Sequence, residues 1–125
     1  MVGHAGGVYD LRTSDIVLAE ARRGDAHWAS RRIALLTGIP VLPIDDARVG
    51  RLAADLLREV PLPGGAMPDA LHIAAASIGG MEYLLTWNCK HIANPRLHSR
   101  MRRVITVAGF TPPVLCTPAE LTAEA

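Results

Sequence analysis

Aromatic side chains are scarce in this sequence, where they make up 4% of 125 residues. A core of this composition has to be built from Leu, Ile, Val and Ala. So few rings argue against a protein that stacks single-stranded bases on an aromatic platform. Cysteine is also rare, with only Cys89 and Cys116. Two thiols in a chain long enough to bury its own core do not indicate a disulfide framework, so we expect reduced thiols and a cytoplasmic protein.

The sequence has no excess of one charge and no long apolar run. It has 13 basic and 12 acidic residues, which give a formal net charge of +1. Charge alone therefore does not indicate nucleic-acid binding, although arginines cluster at 22–23, 31–32 and 96–103. Each cluster is interpreted as a solvated helix face, or as a flank of an acidic site. Charged residues, Gly or Pro interrupt every apolar run, so no membrane association is expected.

Helix and strand signals alternate along the chain. Strands are predicted at residues 11–13, 41–44, 83–86 and 114–116. Helices are predicted at 15–23, 25–37, 45–59, 69–78 and 95–107, with a capping box at 117–120. Residues 1–8 are expected to be a flexible lead-in, and residues 9–125 a single domain. The alternation predicts an α/β fold with a mainly parallel sheet, in which functional groups follow the carboxyl ends of the strands.

Two acidic residues lie in apolar surroundings. Asp69 opens the helix predicted at 69–78, which is apolar nearly all round. A buried carboxylate costs several kcal/mol unless it is hydrogen-bonded, paired or bound to a cation, so Asp69 is either a helix N-cap or a ligand. Glu20 comes one helical turn after Ile16, on the apolar side of its helix. The alternative for Glu20 is a surface ion pair with Arg23.

Asn88 follows the most strand-like run of the sequence. Its amide oxygen can bind a metal or a metal-bound water, although Asn is also common at turns. Cys89 and His91 form one ligand pair with no second pair, so a zinc site is not expected. The sequence contains neither a phosphate-binding glycine loop nor a nucleophile elbow.

Four segments together resemble PIN-domain proteins of the VapC-like toxin group: residues 13–25, 69–76, 83–94 and 112–121. The resemblance spans residues 9–122. It implies a three-layer α/β/α fold and a toxin–antitoxin ribonuclease. Glu20, Asp69 and Asn88 would be the catalytic residues, and Glu20 and Asp69 would hold Mg²⁺ or Mn²⁺. RNA would be the substrate, an antitoxin-like protein and a second copy of the chain would be partners, and arginines would hold the RNA backbone.

The sequence departs from this family at its start. Family members begin with a central strand whose end carries the first metal-binding acid, and no such strand is expected in residues 1–8, which are mostly Gly, Ala and His. A gap between two strands of the sheet is therefore predicted. The departure leaves two alternatives to a ribonuclease. One is a non-catalytic PIN-like protein that keeps its surfaces for self-association or an antitoxin-like partner, and the other is a plain α/β binding module whose acids are helix caps.

Overall fold

The computed structural model describes residues 2–5, 8–60, 67–85 and 95–116. Within them it contains strands β1 (Val2–Ala5), β2 (Val8–Leu11), β3 (Tyr83–Leu85) and β4 (Val114–Cys116). Its helices are α1 (Asp15–Ala21), α2 (Ala26–Leu36), α3 (Asp46–Glu59), α4 (Met67–Ile78) and α5 (Pro95–Val107). The fold is therefore mixed α/β, as predicted, with more helix than strand. The capping box predicted at 117–120 lies outside the described residues.

The four strands form one sheet in the order β2-β1-β3-β4. β3 and β4 are parallel, with Tyr83 opposite Val114. β1 is antiparallel to both of its neighbours: Val2 is paired with Leu11 of β2 on one side and with Tyr83 of β3 on the other. The expected parallel arrangement is thus found at β3–β4, whereas the prediction of a mainly parallel sheet is wrong for the pairs that β1 makes.

The start of the chain also differs from its prediction. Residues 2–5 were expected to lie in a flexible lead-in, yet they form β1 and occupy the place between β2 and β3. The expected gap in the sheet is therefore filled. Gly and Ala have low intrinsic strand propensity, but a strand flanked by two partners gains backbone hydrogen bonds that propensity does not measure.

A second, smaller parallel contact joins Thr13 to Val41. The Thr13 N–H donates to the Pro40 carbonyl at 2.9 Å, and the Leu42 N–H donates to the Thr13 carbonyl at 2.8 Å. The strands predicted at 11–13 and 41–44 are reduced here to this single bridge. Pro43 has no N–H to continue the ladder.

Three helices begin where their capping residues predict. The Val17 N–H donates to Ser14 Oγ at 3.2 Å at the start of α1. Asp25 accepts from the first turn of α2, at 2.9 Å from His27 N. Asp45, rather than Asp46, accepts from the N–H groups of Ala47 and Arg48 at the start of α3. These caps satisfy N–H groups that have no partner inside their own helix.

The core lies mainly between α3 and α4, which contact each other along their lengths. Leu56 of α3 is fully buried, as are Ala70, Ala74 and Ala76 of α4. The alanines let the two helices approach closely, and Met101 and Ile105 of α5 complete the cluster. This confirms the prediction of a buried, apolar helix at 69–78. None of the helices in the described part of the chain is long and apolar enough to cross a membrane.

Candidate functional site

Asp69 is the third residue of α4, since the helix begins at Met67. The helix predicted to begin at Asp69 therefore begins two residues earlier, so of the two interpretations of Asp69, N-cap or ligand, the N-cap does not apply. The side chain is half-buried, and the structure shows no hydrogen bond or ion pair between its carboxylate and another described residue. An acid in the first turn is favoured by the helix dipole. Because no described residue bonds the carboxylate oxygens of Asp69, these oxygens are available to a ligand.

Glu20 lies in α1, one turn after Ile16. Ile16 is partly buried and packs against the core, and α1 contacts α4. The two helices that carry Glu20 and Asp69 are therefore neighbours. The side chain of Glu20 lies outside what the structure describes, so neither the separation of the two carboxylates nor a pair with Arg23 is decided by it.

Asn88 lies outside the described residues, as do Cys89 and His91. The strand before it, β3, ends at Leu85 and contacts α4. Its central residue Leu84 is buried in the same core as Ala74. Thus α4 contacts both α1, which carries Glu20, and β3, which precedes Asn88.

Asp69 and Glu20 are chemically suited to a hard divalent cation. Carboxylate oxygens are the usual ligands of Mg²⁺, which keeps several waters and needs only one or two acids from the protein. Among the side chains that the structure describes, no three His, Cys, Asp or Glu groups form a metal cluster. The Glu20 side chain and Asn88 are not among these described side chains. A half-buried Asp69 without a described partner fits a cation held by few protein ligands.

Two arginines of the early cluster make contacts that support the fold. Arg32 donates from Nε to the Ala21 carbonyl at 3.1 Å and from a terminal nitrogen to the Arg23 carbonyl, so it caps the end of α1. Arg31 lies over the ring of Trp28, 5.4 Å from its centroid. The early cluster therefore serves α1 and α2 in part. No local pattern in the sequence indicates that Arg32 caps α1, because the contacts join residues nine to eleven positions apart.

Two further features were not found from the sequence. A cavity of about 110 Å³ lies between α4, α5 and β4, lined by Ile73, His98, Met101 and Arg102 among others. Thr13, which is 4% exposed, has a hydroxyl with no hydrogen-bond partner among the described residues. Both arise where elements distant in sequence meet, and no local pattern marks them.

Comparison of the chain with models of known protein families, with curated proteins and with solved structures finds no match. The resemblance to PIN-domain proteins therefore rests on the sequence motifs alone.

Proposed function

We propose that this chain is a PIN-like, metal-dependent endoribonuclease of the toxin–antitoxin type. The observation that carries the proposal is the contact between α1 and α4, which brings the backbones of the two acid-bearing helices together. Two acids about fifty residues apart in sequence are on neighbouring elements, as one shared site requires. The three-layer PIN-like architecture, the RNA substrate and the antitoxin-like partner are parts of the same proposal.

In this proposal Asp69 and Glu20 hold Mg²⁺ or Mn²⁺, and Asn88 binds a metal-bound water or the substrate. The cation, when bound, would activate water and stabilise negative charge on the scissile phosphate. Asp69 contributes a carboxylate fixed on a helix whose inner face is fully packed. Ala70, which follows it, is completely buried, so the first turn of α4 cannot shift without disturbing the core. A ligand on a rigid element keeps its position when substrate binds.

The proposal is tested by cleavage of single-stranded RNA with added Mn²⁺ or Mg²⁺. We expect activity that EDTA abolishes and that Asp69→Asn lowers by about 100-fold or more, since the neutral amide weakens the cation site while keeping the side-chain shape. Asp46→Asn is the matched control. Asp46 is also a first-turn acid, on α3, and we expect its variant to cleave like the wild type.

Thermal unfolding of both variants shows whether they are folded. Full activity in folded Asp69→Asn, or equal losses in the two variants, would contradict the proposed site.

A second candidate is a non-catalytic PIN-like protein retained for self-association or for an antitoxin-like partner. The observation that favours it is the strand between β2 and β3, because Val2–Ala5 contains no acidic residue. A central strand without a carboxylate supplies no third acid to the site. The same cleavage assay separates the two candidates: metal-dependent cleavage that is lost in Asp69→Asn excludes the non-catalytic protein.

A further inference from the structure

Helix α5 presents a basic face. Arg96, Ser99, Arg100 and Arg103 line one open concavity on it. The three arginines follow the spacing i, i+4 and i+7, which places them on the same side of an α-helix. All four side chains are exposed. On the opposite side, Met101 and Ile105 are buried in the core. We define Arg96, Arg100 and Arg103 as the α5 basic stripe.

No acidic residue balances this stripe within its own helix. α5 contains four arginines and no Asp or Glu. α3, by contrast, contains three basic and three acidic residues, and its Arg58 is paired with Asp55 at 2.7 Å. A polyanionic ligand would supply the negative charge that α5 itself lacks.

We propose that the α5 basic stripe binds the phosphate backbone of a single-stranded nucleic acid. A protein partner needs apolar or aromatic anchors at the centre of its interface, whereas the exposed apolar side chain on this face, Val107, lies one turn beyond the end of the stripe. Phosphate groups need only cations and hydrogen-bond donors, which arginine supplies in a fixed planar fork. The chemistry of the stripe thus fits a nucleic acid better than an acidic protein.

The length of the stripe limits the number of phosphates that it contacts. Seven residues of α-helix rise about 10 Å, so two to three successive phosphates of an extended strand can be bound. Arg102 lies on another face of α5 and lines the cavity beside Met101, so it is not part of the stripe. The choice of RNA as the ligand rests on the proposed function, whereas the phosphate chemistry does not.

The experiment measures the affinity of a fluorescently labelled single-stranded RNA as a function of salt, in EDTA so that no metal-dependent cleavage occurs. Each phosphate contact with a single strand contributes about 0.7 to the slope of log affinity against log salt concentration. We expect the triple variant Arg96→Gln, Arg100→Gln, Arg103→Gln to lower that slope by about 2 and the affinity at 0.1 M salt by about 100-fold. Replacing the same three residues with Lys should restore most of the binding, because Lys keeps the charge.

The matched control is Arg48→Gln, Arg51→Gln, Arg58→Gln, all on α3. These three arginines are also exposed, and either triple variant changes the formal net charge from +1 to −2. We expect the control to lose less than about threefold in affinity, because three acidic residues on the same helix offset the charge of these arginines. Equal losses in the two variants would overturn the proposal, since binding would then follow net charge alone.

Two competitor arms identify the ligand. Single-stranded DNA shares the phosphate backbone, so competition by DNA supports the proposal, and a preference for RNA adds a contact to the 2′-hydroxyl. Polyglutamate that competes as well as RNA of equal charge would overturn it in favour of an acidic protein partner. If RNA binding depends on the stripe but no cleavage occurs, this inference stands and the ribonuclease proposal is refuted. If the stripe variant cleaves and binds RNA like the wild type, the ribonuclease proposal stands and this inference is refuted.

Discussion

Thr13 and Ser14 are adjacent buried residues whose hydroxyls differ in hydrogen bonding. Ser14 is fully buried, and its Oγ accepts from the Val17 N–H at 3.2 Å. The Thr13 hydroxyl has no hydrogen-bond partner in the part of the chain that the structure describes. A buried polar group without a hydrogen bond costs about 1–3 kcal/mol, whereas a helix cap contributes about 1 kcal/mol. The two positions therefore respond in opposite directions when the hydroxyl is removed.

We expect Thr13→Val to leave the free energy of unfolding unchanged or to raise it by about 1 kcal/mol, since Val keeps the side-chain shape and removes the unpaired group. Ser14→Ala should lower it by about 1 kcal/mol. Urea denaturation of the two variants and the wild type measures both effects. A loss in Thr13→Val as large as in Ser14→Ala would mean that the Thr13 hydroxyl has a bonding partner in the folded protein.

At the scale of single residues, the sequence predicts capping better than it predicts ligands. Ser14 and Asp45 act as caps because the bond is made within three residues of chain, and such bonds depend on local geometry alone. Asp69 was open to two interpretations because a cap and a ligand require the same residue type. The structure decides against the cap only because α4 begins two residues before Asp69.

At the scale of elements, the end of α4 packs tightly against the segment after the Thr13–Val41 bridge. A β-carbon added at Gly79 would overlap the Leu42 side chain and lie 3.0 Å from the Ala75 carbonyl oxygen. Leu42 is itself buried, so it has little room to move. At Gly50, in α3, an added β-carbon meets nothing within 4 Å.

We therefore expect Gly79→Ala and Gly50→Ala to change stability in opposite directions. Gly79→Ala should lower the free energy of unfolding by about 1–3 kcal/mol through overpacking. Gly50→Ala should raise it by about 0.5–1 kcal/mol, because Ala restricts the unfolded chain and favours helix. Thermal and urea unfolding of both variants check this. Stabilisation by both substitutions would show that the contact between Leu42 and Gly79 is loose.

The helices and the strands β3 and β4 were predicted within a few residues, whereas β1 was not predicted and β2 begins earlier than expected. Helix signals are local, and the amphipathic pattern of Val49, Leu52 and Leu56 is visible without knowing what α3 packs against. β1 contains Gly3 and Ala5, which disfavour a strand. It forms because β2 and β3 flank it, and no local pattern announces that pairing.

For the whole molecule, the direction of β1 is the main difference between the observed sheet and the one that the family resemblance implies. The family resemblance implies a parallel central strand, and the structure has an antiparallel one in that place, with Val2 opposite Tyr83. In this arrangement β1 runs from Val2 towards His4 in one direction, and β3 runs from Tyr83 towards Leu85 in the opposite direction. His4 and Leu85 therefore lie on opposite sides of the Val2–Tyr83 pair. In a parallel strand with Val2 still opposite Tyr83, His4 would instead lie opposite Leu85, because both strands advance together.

Cysteine pairs distinguish the two arrangements. In a Cys89→Ser, Cys116→Ser background, we expect Val2→Cys with Tyr83→Cys to form a disulfide on mild oxidation, because directly paired Cα atoms in a sheet are about 4.5–5.5 Å apart. His4→Cys with Leu85→Cys should not, since these positions are separated along the strands. Non-reducing electrophoresis and mass spectrometry of the oxidised proteins give the result. Crosslinking of both pairs would contradict the antiparallel β1 and indicate a parallel one. Crosslinking of neither would mean that β1 does not lie between β2 and β3.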